Sequence, residues 1–139
     1  MTKALALLLL VASFSLAACA TKAPPAGAAG PVEAVQAFAS AAARGDTEGA
    51  FSLLSLRTQR EADEVASAAR AKSGDAGPAS GRQMLFTTAL PQGKIEAREV
   101  SRQGDSAEVS VTDATGKSQS FHAVREGGVW RVDLALPGR

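Results

Sequence analysis

The chain is poor in the residue types that carry much of protein chemistry. Its 139 residues include one cysteine, one histidine, one tryptophan and no tyrosine. The lone Cys19 excludes a disulfide within the chain, and the lone His122 excludes metal sites built from several histidines. Basic and acidic residues nearly balance, 15 against 14. That balance offers no basic patch for nucleic acid, so no nucleic-acid partner is predicted.

Short motifs that mark common active sites are also missing. The sequence holds no GxSxG nucleophile turn, no phosphate-binding loop and no dinucleotide fingerprint. Asp105, Asp113 and Gly116 fall near predicted turns, but scattered carboxylates do not make a calcium loop. The sequence therefore predicts no cofactor and no metal.

The N-terminal residues have the order of a signal peptide. Lys3 supplies a positive charge, and residues 4–14 form an apolar run. That run is shorter than the roughly 20 residues that a bilayer-spanning helix needs. Small residues then lead to Leu16-Ala17-Ala18-Cys19. This pattern is typical of an exported precursor rather than of a transmembrane helix.

The tetrapeptide that ends at Cys19 resembles the lipobox of bacterial lipoprotein precursors. The resemblance implies a diacylglyceryl group on the Cys19 thiol, cleavage after Ala18, and acylation of the new amine. A thiolate suits this chemistry because it is a strong nucleophile. Ala20 stands where enteric-type inner-membrane lipoproteins carry Asp, which implies an outer-membrane anchor facing the periplasm. Two alternatives stay open: an ordinary secretory signal with an incidental cysteine, or a signal anchor over residues 4–20.

Three segments follow from this interpretation. Residues 1–18 are predicted to be the signal peptide, residues 19–30 the acylated cysteine and a flexible linker, and residues 31–139 a single domain. Pro24, Pro25, Gly27 and Gly30 interrupt the linker, which has no apolar periodicity. Without Lys3 the mature segment carries 14 bases and 14 acids, a formal net charge of zero.

The first half of the domain has helical periodicity. Pro31 suits the first turn of a helix, and Gly45 suits its left-handed end. Asp46 is predicted to cap a second short helix, and a capping box over residues 58–61 to open a third. Ser80 is predicted to start a last helical turn, with a strand as the alternative. The predicted inward positions are Val35, Phe38, Ala39, Ala42, Ala50, Phe51, Leu54, Ala62, Val65, Ala66 and Ala69.

The second half alternates with the period of β-strands. Strands are predicted over residues 94–102, 106–111, 120–124 and 130–134, and Gly127-Gly128 indicates a hairpin. A two-residue loop there pairs Arg125 with Trp130, Ala123 with Val132 and Phe121 with Leu134. This register keeps the apolar residues on one face, whereas a three-residue loop divides them. It also places His122 opposite Asp133.

Helices followed by antiparallel strands predict an α+β fold, with N-terminal helices packed on a curved antiparallel sheet. Residues 31–38 (PVEAVQAF), 43–46 (ARGD), 50–55 (AFSLLS) and 125–132 (REGGVWRV) resemble nuclear-transport-factor-two-like domains, the cystatin-like cone. The resemblance spans residues 31–134 and implies a helix across a bent sheet, with a cone that can open as a pocket. That superfamily includes isomerases, epoxide hydrolases, ligand binders, dimers and short lipoproteins, so the fold leaves the function open.

The candidate site residues each have a functional and a structural interpretation. Phe38, Phe51, Phe86, Phe121 and Trp130 are candidates for a ligand pocket, or they fill the core. His122 and Asp133 could act as a base and its orienting carboxylate, or form a cross-strand ion pair. The missing tyrosine argues against the superfamily's isomerase mechanism. Likewise, the spacing of Asp113, Arg131 and Asp133 does not favour an epoxide-hydrolase site.

The leading hypothesis is a non-catalytic, envelope-anchored module that binds a protein partner or a small apolar ligand. A homodimer through an exposed sheet face, with Val124, Arg131 and Asp133, is one form of it. A small hydrolase or isomerase using His122 and Asp133 is the first alternative. A structural component of the envelope is the second.

Overall fold

The computed structural model describes residues 26–87 and 94–136. The signal peptide, Cys19 and linker residues 20–25 lie outside the described residues. Helices come first along the chain and four strands follow, which confirms the α+β class. The helices are α1 (Pro31–Ala43), α2 (Thr47–Ser52), α3 (Leu56–Ser73) and α4 (Gly81–Leu85), and the strands are β1 (Glu96–Gln103), β2 (Ser106–Thr112), β3 (Ser118–Glu126) and β4 (Val129–Asp133). In the described part of the chain, no helix is long and apolar enough to cross a membrane.

Helix α1 presents one apolar stripe to the sheet. Val35 and Phe38 are buried as predicted, and Ala34 and Ala41 are buried beside them. Ala39 and Ala42 are only half-buried, so the stripe is centred slightly differently from the prediction. Gly45 follows the helix with a φ of 72°, the left-handed conformation expected at a helix end.

Helix α2 is shorter than predicted. The Asp46 carboxylate accepts a hydrogen bond from the Gly49 amide at 2.8 Å, as expected of an N-cap. The helix ends at Ser52, so Leu54 lies beyond it. Leu54 is fully buried and forms a parallel bridge to Val132. Leu54 therefore reaches the main core from a position beside β4 and not from a turn of α2.

The predicted capping box at residues 58–61 is wrong. Helix α3 begins at Leu56, and the Ser55 hydroxyl caps it by accepting from the Thr58 amide at 3.0 Å. The prediction that Val65 points inward is also wrong, because 39% of this residue is exposed. Thr58, Ala62 and Ala66 are the buried residues of α3. The inward stripe is narrow because α3 packs mainly on the short helix α4.

Helix α4 confirms the helical alternative at Ser80. The Ser80 hydroxyl accepts from the Gln83 amide at 3.2 Å. Gly81 sits so close to α3 that a Cβ built on it would lie 2.5 Å from the Ala62 carbonyl carbon. The Gly81 amide also donates to the Asp63 carboxylate at 2.8 Å. A residue without a side chain is therefore needed where the two helices meet.

The four strands form one antiparallel sheet in the order β1-β2-β3-β4. Gly127 and Gly128 take φ angles of 59° and 86°, which suits the predicted two-residue loop. The pairs Arg125–Trp130, Ala123–Val132 and His122–Asp133 are all confirmed.

The predicted pair Phe121–Leu134 is wrong, because β4 ends at Asp133. The Leu134 amide instead donates to the Thr58 hydroxyl at 2.9 Å, so the chain leaves β3 and turns toward α3.

One face of the sheet is covered by α1 and carries the core. A second, smaller group of buried side chains surrounds Trp130. The main group is Val35, Phe38, Ala41, Ala50, Leu54, Val109, Val111 and Val132, and the second is Ala34, Ala107, Ala123 and Trp130.

The two edges of the sheet differ. Backbone hydrogen bonds cover the outer edge of β4. Ala28 and Trp130 each donate an amide hydrogen to the other's carbonyl, the Ser55 amide donates to the Val132 carbonyl, and the Val132 amide donates to the Leu53 carbonyl. Strand β1 carries a bulge at Val100 between paired residues Glu99 and Ser101. A bulge on an edge strand discourages pairing with another strand.

Candidate functional site

The sheet face opposite α1 is polar, and we call it the outer face. It carries alternate residues of the strands: Ser106, Glu108 and Ser110 from β2, Ser120, His122 and Val124 from β3, and Arg131 and Asp133 from β4. Alternation places them together because successive side chains of a strand point to opposite sides. The polar residues of the second half therefore meet on this surface.

Three of these side chains form a hydrogen-bonded series across neighbouring strands, and we call them the polar triad. The Ser106 Oγ lies 3.1 Å from the His122 Nε2, and the His122 Nδ1 lies 3.5 Å from the Asp133 Oδ2. The sequence predicted the pairing of His122 with Asp133, and the structure brings the two together. Ser106 was not predicted.

Asp133 has more hydrogen-bond partners than Ser106 or His122. Its side chain is only 12% exposed, and Ser55 and Thr58 at the start of α3 bond to it. Arg57 donates to both of its carboxylate oxygens, at 2.7 and 3.2 Å. These contacts hold the carboxylate in one position beneath the N-terminal turn of α3.

The environment of Asp133 lowers its pKa. Burial alone would raise the pKa of this carboxyl. Hydrogen bonds from Arg57 and Ser55 lower the pKa by more than burial raises it, and the charge of Arg57 and the contact with His122 lower it further. The hydrogen bond to Asp133 in turn raises the pKa of Arg57. Asp133 is therefore a carboxylate at neutral pH.

The charge on Asp133 fixes the tautomer of neutral His122. A carboxylate has no proton to donate, so the His122 Nδ1 must carry the hydrogen in their contact. The Nε2 of a neutral imidazole is then an acceptor, and it faces the Ser106 hydroxyl. Half of the His122 side chain is exposed, so the ring remains accessible from solvent.

A shallow groove lies beside the polar triad. It encloses about 260 Å³ and is lined by Ser101, Gln103, Ser106, Ala107, Glu108 and His122. Gln103 lies directly opposite Ser106 in the β1–β2 register, and Glu108 lies directly opposite His122 in the β2–β3 register. The walls are mainly polar, so the groove suits a polar ligand better than an apolar one.

The sequence suggested that Arg131 is exposed on the outer face, but the structure shows its side chain enclosed. Its side chain is 11% exposed, and its Nη1 donates to the carbonyl oxygens of Ser52 and Leu54 at 3.0 and 3.4 Å. It thereby satisfies carbonyls at the end of α2, where a cation is favourable. Arg131 and Asp133 are both enclosed by the α2–α3 connection, which corrects the expectation that they lie on an exposed dimer surface.

Among the predicted aromatic candidates, Phe38 and Trp130 are buried in the core, and Phe51, Phe86 and Phe121 are half-buried against it. The Phe38 ring has its centroid 6.3 Å from those of Phe86 and Phe121, and Phe51 packs against the same group. Trp130 is 3% exposed, and the Arg102 guanidinium lies 5.2 Å from the centroid of its indole ring. This is the packing of the core-filling alternative, and a ligand pocket among these rings stays a prediction.

Within residues 26–87 and 94–136, no three or more His, Cys, Asp or Glu side chains are grouped to hold a metal ion. Comparison of the chain with protein-family models, with curated proteins and with solved structures finds no match.

Proposed function

We propose that this chain is a bacterial envelope lipoprotein, anchored by acyl chains on Cys19, whose domain is a non-catalytic binding module for a protein partner. The N-terminal pattern that ends in Leu16-Ala17-Ala18-Cys19 supports the anchor. We also propose an outer-membrane location facing the periplasm, from Ala20, and a cone of the nuclear-transport-factor-two-like type, from the order of helices and strands.

The open polar face carries the binding part of this proposal. Helix α1 covers the opposite face of the sheet, whereas Glu108, Ser120 and His122 on the outer face are exposed. A small apolar ligand is the weaker form of the proposal, since the aromatic rings pack in or against the core. A homodimer would have to use the β2–β3 part of the face, because Arg131 and Asp133 are covered.

The anchor is tested on the full chain expressed in a bacterium with lipoprotein processing. Intact mass analysis should find a mature protein that starts at Cys19 and carries acyl chains. A Cys19→Ala variant should keep its first 18 residues and gain no acyl mass. An unmodified Cys19 at the mature N-terminus, or cleavage elsewhere, would reject the anchor.

Binding is tested by purifying the acylated protein from its own membranes. Glu108→Arg reverses a charge on the outer face, and Glu64→Arg makes the same change on the exposed side of α3. We expect one protein to be recovered stoichiometrically with wild type and Glu64→Arg but not with Glu108→Arg. Recovery with all three would place the partner on another surface. Recovery of the lipoprotein alone would reject a stable complex.

The polar triad favours a second candidate, a small hydrolase. Its supporting observation is the contact of His122 with both a hydroxyl and a fixed carboxylate, at 3.1 and 3.5 Å. General base catalysis needs such an imidazole, oriented on one side and free to take a proton on the other.

A further inference from the structure

We propose that Ser106 is the nucleophile of an ester-hydrolysing site, with His122 as its general base and Asp133 as the positioning residue. This inference rests on the second candidate function and does not depend on the binding of a partner. Its substrate class is small carboxylic esters with a polar acyl group.

The contacts of the polar triad place the proton where this reaction needs it. Asp133 holds the hydrogen of neutral His122 on Nδ1, which leaves Nε2 free to accept. The atom that faces Nε2, at 3.1 Å, is the Ser106 Oγ. A serine hydroxyl is a weak nucleophile until a neighbouring base can take its proton, and this arrangement supplies that base.

The support behind Asp133 distinguishes the site from an ordinary surface contact. Exposed cross-strand pairs are usually free to change rotamer, whereas Asp133 is bonded to Ser55, Arg57 and Thr58. Positioning groups in active sites are held by such outer contacts. The contact between His122 and Asp133 is long, at 3.5 Å. Hydrogen bonds of catalytic groups are often long in the absence of substrate and shorten in its complex.

The groove beside Ser106 determines the substrate class. At about 260 Å³ and open to solvent, it accommodates a small group and has no deep pocket for a long alkyl chain. Polar side chains line it, so the acyl part should be polar. Gln103 pairs with Ser106 across the β1–β2 ladder and also lines the groove. We assign its side-chain amide as the donor to the developing oxyanion.

The reaction balances with water as the only co-reactant. The Ser106 Oγ bonds to the carbonyl carbon while its proton passes to the His122 Nε2. The bond to the leaving oxygen breaks, and that oxygen takes the proton and departs as an alcohol. Water then attacks the acyl-Ser106 ester and gives a proton to Nε2, which returns it to Ser106 as the carboxylic acid leaves.

The test uses the full acylated chain in detergent, with a fluorophosphonate probe and two small esters, p-nitrophenyl acetate and a p-nitrophenyl ester with a hydroxylated acyl group. The hydroxylated ester should be hydrolysed faster than the acetate. Peptide mapping should find the phosphonyl group on Ser106, with none on Ser106→Ala. Ser110→Ala is the matched control, since Ser110 lies on the same face of β2, and it should keep the rate of wild type. His122→Gln should slow labelling and hydrolysis by about 10²- to 10⁴-fold.

The positioning role of Asp133 has its own readout, because His122 is the only histidine and its NMR signals are unambiguous. The ring ¹⁵N shifts should show the Nδ1-protonated tautomer in wild type and lose that preference in Asp133→Asn. Labelling of wild type at another residue, or equal rates in wild type and Ser106→Ala, would overturn the proposal. Ser106→Ala should still recover any partner, so failure of one proposal leaves the other standing.

Discussion

Replacing Asp133 with asparagine should destabilise the domain far more than a comparable change at the surface. The substitution keeps the size of the side chain but removes the charge that Arg57 and Ser55 contact. The Arg57 pair contributes about 1 kcal/mol, because the arginine is 46% exposed and its charge is screened by solvent. Weakening the Ser55 bond to a charged acceptor adds roughly 1 kcal/mol. The expected loss is therefore about 2 kcal/mol in the free energy of unfolding.

Thermal unfolding followed by circular dichroism measures this loss. A change of about 2 kcal/mol corresponds to a fall in Tm of roughly 8 to 16 °C for a domain of this size. Asp105→Asn is the control, because Asp105 is 66% exposed and pairs with the exposed Arg125. Its Tm should change by only a few degrees. Equal Tm values for the two variants would refute the idea that Asp133 anchors β4 to α3.

The effect should also depend on pH in a defined direction. Because folding lowers the pKa of Asp133, its charge adds stability at pH values above the ordinary carboxyl range. That stability is lost as the pH falls below about 4 and the folded carboxylate takes up a proton. The gap between wild type and Asp133→Asn should therefore narrow as the pH falls below about 4. A gap that widens in acid would contradict the assigned direction.

Two further predictions concern packing. Gly81→Ala should lower the free energy of unfolding by about 1–3 kcal/mol in urea titrations, because the added Cβ would meet the α3 backbone. Helix propensity alone would make the alanine variant slightly more stable. A stabilised variant would therefore contradict the close contact between α4 and α3. Trp130→Ala should cost about 3–5 kcal/mol, whereas Val100→Ala at the exposed bulge should stay within about 0.5 kcal/mol. Equal stability of those two variants would place the indole outside the core.

Local patterns in the sequence were sufficient for the α+β order of the chain and for one strand register. Two consecutive glycines allow a two-residue loop, and only the even register keeps Ala123, Val132 and Trp130 on one face. His122 and Asp133 then had to be neighbours. Likewise, Asp46 and Ser80 are polar caps whose partners lie three residues away, so short-range geometry identifies them.

The rest of the site needed the tertiary structure. Ser106 contacts His122 only in the register of β2 with β3, and the turn over residues 113–117 between them does not specify that register from its length alone. The alternation of polar and apolar residues along β2 does place Ser106 on the same polar face as His122. That pattern is the sequence signal from which Ser106 could have been predicted as a site residue.

The start of α3 illustrates the same limit. Thr58-Gln59-Arg60-Glu61 has the composition of a capping box, but Ser55 is the cap because β4 passes beside it. The carboxylate of Asp133, 78 residues away, accepts from Ser55, and Arg57 and Thr58 join the same cluster. Sequence by itself determined the order of helices and strands, since these follow from local spacing. Only the tertiary structure decided which polar groups meet, because partners far apart in the chain are brought together by packing.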